Sequence, residues 1–215
     1  MKGRIIKEKG PGSATLVIIN YGVGNLFSLE SSFNAIGYDV KVTSRAEDIV
    51  NADKIILPGV GAFGDAARKL RASGLAEPLL NEVKRGKSIL GICLGMQLLF
   101  DKSFEYGEHE GLGLIPGEIV PINKVNDNLK IPQIGWNALI FKNKSKLFKY
   151  INNLDCVYFV HSYYAKCADK YITAVTEYGS ELTAAVEHEN IFGCQFHPEK
   201  SGAVGLNILR AFCEL

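Results

Sequence analysis

Apolar positions along the chain recur with two alternating periods, and that alternation predicts the architecture before any single residue does. TLVIIN (15–20) is a short β-branched run closed by a Gly-rich turn, the signature of a buried strand. From Asn25 to Ile36 the period lengthens: Leu26, Leu29, Phe33 and Ile36 share one helical side, and Gly37 supplies the stop. YDVKVT (38–43) alternates as a strand. KIILP (54–58) is another buried strand, ending in the turn PGVGAFG, and Ala66 to Arg85 reads as two short helices broken near Ser73–Gly74. SILGI (88–92) predicts a strand, and LGMQLLFDKS a helix that follows at once. Strands alternating with helices in this way predict a parallel sheet covered on both sides.

Beyond residue 110 the pattern changes to Gly/Pro turns and strand-like runs: GWNALIF, DCVYFVHSYYA, YITAVTEYG, ELTAAVEHEN and IFGCQF. A last helix is expected over Gly202 to Glu214. No repeat, low-complexity segment or linker divides this body. A chain of 215 residues, 47% of them hydrophobic, suffices for one well-buried domain and is short for two. The start, MKGRIIKEKGPGSA, stands apart: it is basic but has no apolar segment behind it, so it is not a secretory signal. Its GPGS has the look of a linker or a cloning scar. Residues 1–14 are therefore set aside as a leader, and the domain is expected over 15–215.

Charge and cysteine usage narrow the classes. The net charge is +1, and the basic leader leaves the body mildly acidic, with no electrostatic footprint for nucleic acid or an anionic membrane. The longest nearly apolar stretch, Ile89 to Phe100, is too short to span a bilayer and reads as core. Five cysteines (Cys93, Cys156, Cys167, Cys194 and Cys213) form no C-x-x-C pair. They speak against a disulfide framework or a zinc ribbon and fit a reducing cytoplasm.

Candidate chemistry begins at GICLGMQ (91–97), where a predicted strand meets a predicted helix. A sharp strand-to-helix turn crowds the backbone at its apex, so Gly91 and Gly95 are the flanking residues such a turn requires. Cys93 would then stand at a helix N-terminus, which favours thiolate, with the Leu94 amide pointing where an oxyanion forms. Gln97 lies one turn on and reaches the same pocket. Taken alone, Cys93 reads equally well as a small core side chain.

A nucleophile needs a base. His109 (in EYGEHEG) and His188 (in EHEN) read as solvated surface, and His161 as a core or pocket residue. His197 is followed by Pro198 and Glu199. Proline favours extended backbone before it, so Glu199 can project to the same side as His197 and fix its tautomer. HPE alone also suits a strand end with a capped turn. PGVG (58–61) can add backbone N–H donors at the carboxyl edge of the sheet. NYGVGN (20–25) lacks the third small residue of a dinucleotide fingerprint. Cys194-x-x-His197 has no second ligand pair for a metal.

The ordered set PGVG, GICLGMQ and FHPE resembles the triad, or class I, glutamine amidotransferases across nearly the whole body. YGVGN (21–25), GWN (135–137), YFVHSY (158–163) and QFHPEKSG (195–202) are most similar to the glutaminase subunits of imidazole glycerol phosphate synthases. The resemblance implies a single α/β domain with a central mixed, mostly parallel sheet flanked by helices in a flavodoxin-like three-layer arrangement. It implies Cys93 as nucleophile, His197 as acid/base and Glu199 as the residue orienting it. Val60, Gly61 and Leu94 match the oxyanion hole. Gly61, Gln97, Ser162 and Tyr163 match glutamine-holding positions. Asn25, Trp136, Tyr158 and Lys200 match residues facing a synthase subunit, a (β/α)₈ barrel that receives the ammonia in a heterodimer.

Neither cofactor nor metal is implied. In this family activity is low until the partner binds its nucleotide substrate, which a PGVG peptide flip would explain. Gln133 stands where many members carry histidine, leaving a sugar amidotransferase as an alternative acceptor and a silent regulatory subunit as a remoter reading.

Overall fold

The computed structural model describes residues 14–122 and 129–215, so the leader, apart from Ala14, lies outside the described residues. The first half alternates strand and helix: β1 (Leu16–Ile19), α1 (Leu26–Ala35), β2 (Val40–Thr43), α2 (Ala46–Asn51), β3 (Lys54–Leu57), α3 (Phe63–Ala72), α4 (Ala76–Lys84), β4 (Ser88–Ile92) and α5 (Leu94–Leu98). The second half is nearly all strand. It contains β5 (Phe100–Ser103), β6 (His109–Glu110), β7 (Ile115–Pro121), β8 (Gln133–Ala138), β9 (Ile140–Phe141), β10 (Cys156–His161), β11 (Tyr163–Cys167), β12 (Ile172–Glu177), β13 (Glu181–His188) and β14 (Ile191–Cys194), closed by α6 (Gly202–Cys213).

Eight strands form the central sheet in the order β2-β1-β3-β4-β14-β13-β12-β9. The pairings from β2 to β14 are parallel, and those from β14 outward are antiparallel. Period-two alternation divides its side chains between two cores. Val17, Ile19, Ile55 and Leu57 point to one face, under Phe63, Leu70 and Leu79 of α3 and α4. Leu16, Ile18 and Ile56 point to the other, under Leu29 and Phe33 of α1 and Leu209 and Phe212 of α6. Burial on both faces is why β1 and β3 read as unbroken apolar runs. This is the three-layer α/β domain expected. A four-stranded sheet (β11-β7-β5-β6) and the β10-β8 ribbon lie beside it.

Three details differ from expectation. The helix after Cys93 ends at Leu98, and the chain re-enters as β5. The Leu98 and Leu99 carbonyls accept the Leu112 and Leu114 N–H groups at 2.8 Å each, so the segment leading into β7 takes the acceptors a longer helix would use. DCVYFVHSYYA divides at Ser162, with β10 pairing to β8 and β11 to β7. Helix α2 was not legible because its only buried residue is Ile49, which leaves no apolar period. No helix among the described residues is long and apolar enough to cross a membrane.

Candidate active site

The parallel strands finish at one edge of the sheet, and the turns after β1, β3, β4 and β14 converge there, where ligand sites of open α/β sheets lie. At the end of β4, Cys93 takes φ 55° and ψ −113°, a left-handed conformation that side chains other than glycine rarely adopt. Its neighbours have no room for a side chain. A Cβ on Gly95 would lie 1.8 Å from the Leu57 carbonyl oxygen, and one on Gly91 2.7 Å from that of Gly95. The Cys93 N–H donates to the Cys194 carbonyl at 2.7 Å, and its own carbonyl accepts the Gln97 N–H at 3.1 Å. The elbow is thus tied both to β14 and to the helix that follows. Because α5 has only five residues, the first-turn N–H groups matter here more than a long helix dipole.

His197 and Glu199 follow β14. His197 Nδ1 lies 2.8 Å from Glu199 Oε1, with the two side chains 3% and 2% exposed. His197 Nε2, buried and without a hydrogen-bond partner among the described residues, is the ring atom left for the Cys93 thiol. Burial opposes charge on this ring, but Cys93 and Glu199 beside it outweigh that and hold its pKa well above the ordinary histidine value. A protonated imidazole next to a cysteine favours the reactive thiolate.

Cys93 and His197 open onto a cavity of about 290 Å³. Its walls include Val60, Gly61, Leu94, Gln97, Ser162 and Tyr163, so the structure brings together all the residues matched to the oxyanion hole and to glutamine. Val60 and Gly61 are exposed; Gly61 has φ +92° and no atom within 4 Å of where its Cβ would be. Four further residues line it: His161, which the sequence offers as a core or pocket residue, and Glu105, Pro132 and Val160, which carry no such signal. Glu105 accepts the Phe63 N–H at the start of α3. In the sequence it sits in FEYGEHE, which reads as an ordinary charged loop.

The remaining matched residues lie outside the cavity. Trp136 and Tyr158 pair across β8 and β10 with ring centroids 6.1 Å apart, and Lys200 Nζ lies 5.8 Å above the Tyr158 ring. Asn25 caps α1, accepting the Ser28 N–H at 3.4 Å. Trp136, Ile134 and Phe27 are 55%, 60% and 78% exposed, a large apolar area for a surface.

The two histidines read as solvated surface are half-buried. The His109 imidazole packs on Gly64, where no Cβ intervenes, and the His188 ring stands edge-on to Tyr171 at 4.8 Å.

Gln133 is fully buried, its side-chain amide 2.9 Å from His161 Nε2. His161 Nδ1–H donates to the Tyr163 carbonyl at 2.8 Å, so in the neutral ring Nε2 is the acceptor and Gln133 turns the NH₂ end of its amide to it. Burial pushes the His161 pKa down to about 4, against about 6.5 for an unfolded histidine. Protonation therefore favours the unfolded chain. The stability carried by the neutral ring is complete above about pH 6.5 and is lost as pH falls through about 4. In urea titrations His161→Gln is expected to flatten the loss of stability across this window by roughly 3 kcal/mol. Equal slopes for the variant and the wild type would refute neutral burial.

Residues 17–214 match the family model for class-I glutamine amidotransferases, and the chain belongs to that family. It is 52% identical over 199 residues to imidazole glycerol phosphate synthase subunit HisH of Caldanaerobacter subterraneus, covering 92% of this chain and 97% of that one. With imidazole glycerol phosphate synthase subunit HisH 2 of Vibrio vulnificus the identity is 48% over 201 residues, covering 93% and 94% of the two chains. These relatives put it in the HisH branch of the family. The fold is shared with the solved structure of PurLQS from Thermotoga maritima, at a TM-score of 0.71 and 21% identity, covering 94% and 98% of the chains.

Proposed function

We propose that this chain is the glutaminase subunit of an imidazole glycerol phosphate synthase, acting in the cytoplasm in histidine biosynthesis. The observation that carries the proposal is the buried His197–Glu199 pair, 2.8 Å apart, with its free ring nitrogen turned to an elbow cysteine at the wall of a cavity. The Cys93 thiolate attacks the carboxamide carbon of L-glutamine. The resulting oxyanion is met by the Leu94 N–H and by the turn at Val60 and Gly61. His197 gives its proton to the departing ammonia, leaving a glutamyl thioester on Cys93. Water, deprotonated by His197, then attacks the thioester, and the Cys93 thiolate and the protonated ring are restored. The acid formed leaves as glutamate, its proton passing to the ammonia released, while Glu199 keeps Nε2 aimed throughout.

Gln97, Ser162 and Tyr163 hold the amino-acid end of the substrate. The Glu105 carboxylate, on the same wall, suits its α-ammonium group. Trp136, Tyr158, Lys200 and Asn25 face the synthase subunit, a (β/α)₈ barrel that takes the ammonia. Their exposed aromatic and cationic surface supports that role. The HisH relatives favour this acceptor over a sugar amidotransferase.

The oxyanion turn offers a way for the partner to control the rate. Gly61 is open on its Cβ side, so the peptide at Val60–Gly61 can rotate without displacing a packed side chain. One donor aimed away from the oxyanion costs roughly 10²–10³ in rate. Mixed with the synthase subunit of a relative and its aminoimidazole-carboxamide ribonucleotide substrate, the chain is expected to hydrolyse glutamine at least about 10²-fold faster than alone. Glutamate release reads this directly. Absence of stimulation would turn the reading to a different acceptor.

A further inference from the structure

Gln195 is a polar residue with no exposed surface, set between the last residue of β14 and the catalytic histidine. Its backbone N–H is satisfied by the Ala184 carbonyl at 2.8 Å. Its side chain bridges two groups of the site. Nε2 lies 3.7 Å from Cys93 Sγ, a hydrogen-bonding distance for the large sulfur atom, and Oε1 accepts the Gln97 amide at 3.0 Å. The Gln97 Nε2 also donates to the Tyr163 carbonyl at 3.0 Å.

This arrangement fixes which way each amide faces. A backbone carbonyl only accepts, so Tyr163 demands the NH₂ end of Gln97. That NH₂ has two protons: one goes to Tyr163 and the other to Gln195 Oε1. Gln195 has then committed its oxygen and must present its own NH₂ to the sulfur. Polarity is relayed through two buried amides from Tyr163 to Cys93, and a half-satisfied relay in this setting would be costly.

We propose that Gln195 is a further catalytic residue, a hydrogen-bond donor to Cys93 Sγ that favours thiolate over thiol and complements the His197 ring. An N–H donor stabilises the charged acceptor more than the neutral one. The same relay spends both N–H groups of Gln97, so Gln97 shows its carbonyl oxygen to the cavity, an acceptor suited to the substrate ammonium. The titratable groups around Cys93 are His197, held by Glu199, beyond β14, Cys194 on β14, Tyr21 in the turn after β1, and Glu105, His161 and Tyr163 across the cavity. Substitution of Gln195 leaves all of them in place. The proposal rests on the reading of Cys93 as the nucleophile.

Two variants separate the ends of the side chain. Gln195→Glu keeps an oxygen for Gln97 but sets an acceptor against the sulfur, and Gln195→Leu removes both contacts. The readout is iodoacetamide alkylation of Cys93 against pH, followed by peptide mass spectrometry, with the exposed Cys156 as reference in the same sample. In Gln195→Glu the Cys93 midpoint is expected to rise by about one pH unit or more, a tenfold loss of thiolate per unit, with Cys156 unmoved. With the synthase subunit present, kcat should fall about tenfold in Gln195→Glu while KM stays within about twofold; in Gln195→Leu KM rises as well.

A third measurement uses the wild-type chain. The side-chain amide resonance of ¹⁵N-labelled Gln195 should titrate with the Cys93 midpoint and stop titrating once Cys93 is alkylated. It decides the matter if the variants do not fold. An unshifted midpoint in folded Gln195→Glu, or a Gln195 amide that ignores the titration, overturns the proposal. If wild-type Cys93 is instead less reactive than Cys156 at neutral pH, the nucleophile assignment fails first.

Discussion

Cys93→Ala will release glutamate from glutamine at the background rate, a loss of about 10⁴-fold or more, and will still bind its partner. The substitution removes one sulfur atom, and with it a partner of the Gln195 amide, but no backbone bond that holds the elbow. The backbone at 93 keeps its bonds to Cys194 and from Gln97, and alanine tolerates the positive φ no worse than cysteine does. In the proposed mechanism the atom that forms the thioester disappears, and with it one of the two partners that raise His197, Glu199 being the other. Water is not expected to substitute for it, because the Leu94 N–H and the turn at Val60–Gly61 are read as donors for attack from the Cys93 side. The assay is glutamate release with synthase subunit and ribonucleotide present, and complex formation is followed by sedimentation. Turnover within about tenfold of wild type would end the triad assignment, whereas loss of both activity and binding would point to a folding defect.

How far the chain disclosed this site in advance follows from what each residue is for. Residues that make a turn geometrically possible carry their own signal. Gly91, Gly95 and the PGVG run are legible because only glycine serves where backbone meets backbone, and the HPE tripeptide because proline imposes an extended residue before it. Strands β1, β3 and β4 were readable for the same sort of reason, since burial on both faces leaves an unbroken apolar run. Residues that act through a partner far along the chain carry none. Gln195 is one glutamine among several until Cys93 and Gln97 are seen against it, and Glu105 is one acid in a charged loop until that loop folds over the start of α3. Helix α5 ends sooner than its apolar run suggests for a related reason: the segment leading into β7 takes the Leu98 and Leu99 carbonyls, and no local period records that.

The elbow at Cys93 and the turn at Pro58–Gly61 are also joined physically. A Cβ on Gly59 would lie 2.8 Å from the Gly95 backbone nitrogen and 3.0 Å from the Tyr21 hydroxyl, which itself donates to the Pro58 carbonyl at 2.8 Å. The turns after β3 and β4 therefore touch through backbone, and the turn after β1 joins them through the Tyr21 hydroxyl. None can move far without the others, except at the exposed Val60 and Gly61.

Gly95→Ala puts that contact to the test and is expected to rank with the most damaging single methyl groups among the described residues. Its Cβ would lie 1.8 Å from the Leu57 carbonyl oxygen, 2.7 Å from the Leu57 carbonyl carbon and 3.1 Å from that of Pro58. All three are backbone atoms at the end of a central strand, so no side chain can swing aside to relieve the clash. Either α5 must lift from β3 or β3 must bend away from β4. Both motions disturb core packing that overfilling by a methyl group already penalises, at a cost of about 3 kcal/mol. For a domain of this size that lowers the melting temperature by roughly 6–12 °C. Activity should fall further than stability, because lifting α5 carries the Leu94 N–H from the oxyanion and a single misplaced donor costs roughly 10²–10³ in rate. Thermal denaturation and partner-stimulated glutamate release measured on one preparation separate the two effects. A variant with wild-type melting would show that β3 and α5 part freely. A destabilised variant with full activity would show that the elbow does not depend on the contact that shapes it.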